Sequence, residues 1–169
     1  ISDKYGYDQL YKGGLSIRTP LNSYFQIEAL RALRKGLETY DRRHGWRGPL
    51  INIKKKDWVS NVKDFKADKS LGWNLARIKE VNKLTVKIET DEKDIGYIDF
   101  KEASWTRKKS FEDFLKLNDI IYVKKIKDNK WELKQLPKIN GSIVVMDPYT
   151  GRVLAMAGGF SFKLSEFNR

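Results

Sequence analysis

The chain has no cysteine among its 169 residues. That excludes disulfides, thiol nucleophiles and Cys-ligated metals, and it fits a reducing or an oxidising compartment equally. Histidine is nearly absent: His44 stands alone, so a zinc site would need carboxylates for its other ligands, and no such cluster occurs. Neither a metal site nor a cofactor is expected. Gly-rich phosphate loops are missing as well; Gly158-Gly159 follows an apolar run but lacks the rest of the pattern. No stretch approaches the ~20 apolar residues of a membrane span. Ile1-Ser2-Asp3-Lys4 has neither the basic start nor the apolar core of a signal peptide, so any export or anchoring segment is expected outside these residues.

What the chain does have is positive charge. Lys and Arg number 34 against 22 Asp and Glu, a net charge of +12. Such an excess attracts polyanions: nucleic acid, anionic lipid or an acidic cell-wall polymer. The charge is spread out, and its densest clusters, Lys54-Lys55-Lys56 and Arg107-Lys108-Lys109, are short. A lysine-rich solvated surface is the plainer account. Aromatic residues make up 12% of the chain, which points to a packed interior rather than disorder.

Along the chain, Leu15-Ser16-Ile17-Arg18-Thr19 alternates as a short half-exposed strand. Thr19-Pro20 carries the signals of a helix start, a hydroxyl cap followed by Pro at the first turn. Leu21, Phe25, Ala29, Leu33 and Leu37, widened by Leu30, form one stripe, which predicts a helix to about Tyr40. Gly36 within it implies close packing against a neighbour. Trp58, Val62 and Phe65 have helical spacing. Five short strand-like segments then follow, at 76–81, 84–89, 95–100, 120–126 and 131–136, the first two alternating, with a brief helical element at 111–116 between the third and fourth. This pattern predicts a small closed β-barrel of the OB type. Finally, Ile143 to Met146 and Val153 to Ala157 flank Asp147-Pro148-Tyr149-Thr150-Gly151, a hairpin. Both runs are apolar at nearly every position, so both faces should be covered, as in the middle of a larger sheet. Without that sheet, residues 138 to 169 are expected to be poorly ordered or paired non-natively.

Candidate chemistry is sparse. Ser60-Asn61-Val62-Lys63 puts a serine and a lysine on one helical face, the geometry of an amine-activated nucleophile. Lysines crowd this stretch, however, and no Lys-Thr-Gly or Ser-x-Asn partner exists, so a chance match is the better reading and no catalytic residue is assigned. Asp91, Glu92 and Asp94 read as a solvated hairpin tip. The loop Tyr40-Asp41-Arg42-Arg43-His44-Gly45-Trp46-Arg47-Gly48-Pro49 cannot continue a helix. Its arginines suit bidentate contact with a carboxylate or phosphate, and they suit equally the tying-down of the loop through Asp41 and backbone carbonyls. In the barrel, Trp73, Tyr97, Phe100, Trp105, Tyr122 and Trp131 can either stack nucleic-acid bases beside lysines or fill the core.

Several of these stretches together resemble the class A penicillin-binding proteins, bifunctional cell-wall synthases, and within them the 1A type. Gly13 to Thr19 is similar to the linker strand that leaves their glycosyltransferase domain, and Gln26 to Leu37 to the linker helix. Tyr40 to Pro49 matches a stretch specific to the 1A type. Leu133 to Pro137, then Gly141 to Pro148 and on to Phe160, is similar to the start of their transpeptidase domain, and Ser165-Glu166-Phe167-Asn168-Arg169 to the segment just before its serine. The resemblance implies a mainly β (α+β) fold. A linker strand and amphipathic helix occupy 1–49, an OB-like barrel 50–137, and the truncated first part of a transpeptidase domain 138–169. It places the glutamates of the glycosyltransferase site before Ile1 and the acylating serine after Arg169, so no catalytic residue carries over. Arg42, Arg43, His44, Trp46 and Arg47 become candidates for inter-domain contact. The implied partners are the parent's two catalytic domains, peptidoglycan, and periplasmic or outer-membrane lipoprotein activators. The implied location is the periplasm, anchored to the inner membrane by a segment outside this chain. From another class, the alternative is a basic OB module for single-stranded nucleic acid.

Overall fold

The computed structural model describes residues 6, 8, 12, 13, 16, 18–55, 57–62, 65 and 69–161. The strand expected over 15–19 rests largely on residues outside that set, as do Lys63 and the segment 162–169. The long helix α1 spans Ser23–Arg42. It starts later than Thr19-Pro20 suggests because Asn22 is the cap: its side-chain oxygen accepts from the N–H groups of Tyr24 at 3.0 Å and Phe25 at 3.3 Å. Ala29 and Leu37 of the expected stripe are buried, whereas Leu21 is 51% and Phe25 39% exposed. Gly36 does not mark a close approach; a Cβ there would meet nothing within 4 Å.

Strands β2 (Trp73–Val81), β3 (Thr85–Thr90), β4 (Ile95–Asp99), β5 (Asp119–Lys127) and β6 (Lys130–Lys134) build the barrel. β2 pairs antiparallel with β3 and β5, β3 with β4, and β5 with β6. A parallel pairing of β4 with β6, at Tyr97↔Lys130 and Ile98↔Trp131, closes the cylinder. This is OB connectivity: the first three strands form a meander, and the fifth returns to lie beside the third. A short β1 (Ile51–Asn52) adds to β5. Two 3₁₀ segments, Phe100–Thr106 and Phe111–Asp113, fill the crossover between β4 and β5. The first of these is not expected from the sequence pattern, which places a helical element in the crossover only at 111–116. The second is fixed by Asp113, whose carboxylate accepts from Ser110 N at 2.8 Å and Lys109 N at 3.1 Å.

The barrel interior holds Ile78, Val86, Ile88, Ile98, Phe111, Val123 and Leu133, all fully buried. A second apolar cluster lies outside the wall, between the barrel and α1. Trp73, Leu75, Ile120 and Tyr122 point into it from β2 and β5, and Leu37, Trp58, Val62 and Phe160 meet them. Burial on both faces explains the unbroken apolar run Ile120-Ile121-Tyr122-Val123.

The terminal hairpin, β7 (Ser142–Met146) and β8 (Val153–Gly158), forms its own two-stranded sheet. The expectation of disorder or non-native pairing over 138–161 is overturned, because α1 supplies a supporting surface. Asn22 N donates to Leu154 O at 2.8 Å. The Gln26 side chain both donates to Met156 O, at 2.8 Å, and accepts from Met156 N, at 3.0 Å. Of the two faces expected to be covered in a larger sheet, one is covered within these residues. Ala155 and Ala157 are buried, but Val144, Met146 and Met156 are 52%, 55% and 52% exposed.

Candidate functional site

The loop after α1 meets the chain between barrel and hairpin, and the meeting point is Asp41. It sits in the last turn of α1 and is 3% exposed. Arg47 Nη1 lies 2.7 Å from its Oδ1, Gln135 Nε2 donates to Oδ2 at 2.9 Å, and Lys138 N donates to Oδ1 at 3.2 Å. Burial pushes the Asp41 carboxyl up, but these three donors outweigh that and hold it below its ordinary range. Arg47 continues across: its Nη2 donates to Leu136 O at 2.5 Å, and its backbone N donates to Gln135 Oε1 at 2.9 Å. Gln135 Nε2 also reaches Gly45 O at 3.1 Å. Gly45 turns the chain at φ +77° and Gly48 at φ +108°, a region few side chains tolerate.

Beside this knot lies a charged set. Lys134, on β6, is buried, with its Nζ 2.8 Å from Glu38 and 3.0 Å from Glu132. Arg42 Nη2 is 3.9 Å from Glu38 and 3.8 Å from Glu132, with its guanidinium 5.1 Å over the Trp105 ring. Trp46 packs edge-on against Trp105 and Phe114, each at 5.9 Å. Of the five sequence candidates, Arg42, Trp46 and Arg47 thus join helix to barrel. Arg43 and His44 face solvent, and His44 rests against Tyr40 at 5.1 Å between ring centres. The loop arginines Arg42 and Arg47 are committed to the chain itself. Gln135 and Lys138 complete the knot from 94 and 97 residues away, a distance at which no local pattern signals them.

The other sequence candidates separate. The exposed Ser60 hydroxyl bonds the Asp57 carboxylate at 2.5 Å on a 3₁₀ turn spanning Val59–Val62, whose Val62 is buried. Trp73, Tyr122 and Trp131 are buried, Phe100 and Trp105 are partly so, and Tyr97 is 40% exposed. These rings are packing, not a stacking platform. Among the described residues no group of His, Asp and Glu could hold a metal ion, and no helix is long and apolar enough to cross a membrane.

A closed five-stranded barrel of OB connectivity, with a helix knotted to its exit strand, defines the class: an OB-like module built between other elements. Residues 46–139 match the model of the penicillin-binding protein OB-like domain, and the chain belongs to that family. Relatives cover nearly all of it. Penicillin-binding protein 1A of Rickettsia typhi is 41% identical over 96% of the chain, and that of Escherichia coli is 28% identical over 99%. The crystal structure of penicillin-binding protein 1A from Haemophilus influenzae superposes over 100% of the chain with a TM-score of 0.76 at 26% identity. The chain spans 21% of the length of the first two relatives and 26% of that structure.

Proposed function

We propose that this chain is the non-catalytic inter-domain segment of a bifunctional peptidoglycan glycosyltransferase and D,D-transpeptidase. It spaces the two catalytic domains on the periplasmic side of the inner membrane and offers a docking surface to activator proteins. The observation that carries this reading is the Asp41 knot. It bonds the end of α1 to the strand-to-hairpin junction, which stiffens the joint between helix, barrel and hairpin. A spacer between two active sites needs that stiffness. Apolar residues left uncovered at the start of α1 (Tyr24 at 67%, Phe25 at 39%) and on the hairpin's outer face suit contact with neighbouring domains.

Two measurements test the reading. Labelled penicillin, incubated with the chain alone, is expected to leave it unmodified; covalent labelling that disappears in Ser60→Ala would make the segment itself catalytic. In the full-length parent, Asp41→Ala is expected to preserve glycan polymerisation and penicillin acylation while lowering the cross-links made per glycan strand. Unchanged cross-linking would remove the spacing role.

A further inference from the structure

We infer that the cleft between α1 and the barrel is a groove for an extended acidic polypeptide segment of a partner protein. The inference rests on the docking part of the function proposed above. The cleft has a volume of about 570 Å³, and its walls are α1 on one side and, on the other, the turn before β2 with Trp73, Lys124 of β5 and Lys134 at the end of β6. Arg31, Arg34, Lys35, Glu38 and Arg42 line it from α1. Arg31, Lys35, Glu38 and Arg42 recur every three or four residues and share one helical face, with Arg34 adjoining Lys35 at its edge. At ~1.5 Å per residue the row is roughly 16 Å long. That is far longer than one phosphate and matches about five residues of extended chain at ~3.3 Å each.

The charge in the groove is only partly used. Arg31 pairs with Glu28. Glu38, the one acid in the row, is matched by Lys134. Arg34, Lys35 and Lys124 have no carboxylate partner among the described residues, and Lys35 and Lys124 are exposed. Arg34 is already oriented: Nε donates to Phe160 O at 3.0 Å and Nη2 to Ser70 Oγ at 3.4 Å. Both partners are neutral, so the guanidinium keeps its full charge while losing little freedom on binding. Ile27, Leu30 and Leu71 add apolar surface to the same lining. Spaced cations beside apolar surface fit a peptide that carries both carboxylates and aliphatic side chains; convergent cations would fit a single phosphate.

The test is fluorescence anisotropy on the 169-residue chain with a fluorescein-labelled ten-residue peptide alternating Glu and Leu. Saturable binding that weakens as salt rises is expected. Lys35→Glu and Lys124→Glu, at exposed positions, should each weaken it at least about fivefold, as expected for charge pairs at an interface. Lys83→Glu makes the same charge change in the turn beyond the far end of β2, a strand that spans about 26 Å from Trp73 to Val81 at strand rise, and should leave affinity within about twofold. Equal losses in all three variants would reduce the effect to net charge and overturn the groove. So would absence of saturable binding. Inorganic pyrophosphate displacing the peptide at equal concentration would make the site a phosphate site. A ten-nucleotide oligothymidylate that binds more tightly, and loses affinity in Lys124→Glu, would assign it to nucleic acid. Either result replaces the proposal. Penicillin labelling reads the non-catalytic assignment separately, so a failed peptide titration leaves that assignment standing.

Discussion

At Gly96 on β4 an added Cβ would lie 2.1 Å from Trp131 Nε1, 2.2 Å from Trp131 Cδ1 and 2.8 Å from Asn129 O. The indole is 2% exposed and sits where β6 closes on β4, so it has nowhere to retreat. Gly96→Ala is therefore expected to destabilise the chain by ~2 kcal/mol or more, through overpacking at the barrel seam. The measurement is the urea midpoint of unfolding; an unchanged midpoint would mean that the seam is looser than the contacts imply. Asp41 shows the opposite hazard. There the side chain is needed, because its two oxygens satisfy three donors from two stretches of chain, the loop after α1 and the strand-to-hairpin junction. An amide cannot accept a charge-assisted bond from Arg47 in the same way, and Asp41→Asn is expected to cost about 2 kcal/mol in the same assay.

Among the elements, α1 tolerates change where the barrel does not. Gly36 is exposed, helical and has open space where a side chain would go. Gly36→Ala is expected to raise stability by about 1 kcal/mol, seen as a higher thermal midpoint; a lower one would reveal a neighbour at that face. Gln26 works harder. Gln26→Ala should speed hydrogen exchange at the Met156 amide about fivefold, the effect of losing one hydrogen bond of ~1 kcal/mol. Exchange at Ala155 on the same strand serves as the internal reference. The contrast also shows what the sequence can disclose. Five short segments with polar turns are enough to name the barrel: β3 and β4 alternate residue by residue, and the unbroken apolar run of β5 marks the wall buried on both faces. The start of α1 was misplaced because Thr19-Pro20 satisfies the capping rules as well as Asn22 does, and only the packing of α1 on the hairpin selects between them. The hairpin's apolar runs read as two-sided burial, but composition does not say that a helix covers one side. Arg47 pairing with Asp41 was legible as one of two readings; Gln135, arriving from the far end of the barrel, was not.

At the scale of the whole molecule, two apolar clusters share the wall made by β2 and β5, and the charged joint lies at its rim. Acid should open that joint. The Asp41 carboxyl is held low by the donors around it, and that of Glu89 by its hydrogen bond to Arg77 at 2.7 Å. Both groups bind protons less readily folded than unfolded. Their stabilisation is thus complete above the unfolded carboxylate range, near pH ~4, and is lost as pH falls through the lower folded values. Unfolding free energy is expected to drop below about pH 4, with a shallower slope in Asp41→Asn. An identical slope in both proteins would show that Asp41 does not govern the acid transition.

The Gln26 side chain presents one donor and one acceptor to Met156, as a peptide unit in a neighbouring strand would. With Asn22 bonded to Leu154 beside it, the outer margin of β8 is sealed by a helix. Among the described residues nothing pairs with the opposite margin, along β7. The hairpin therefore has a polarity: further strands can be added on one side only, and α1 fixes which side that is.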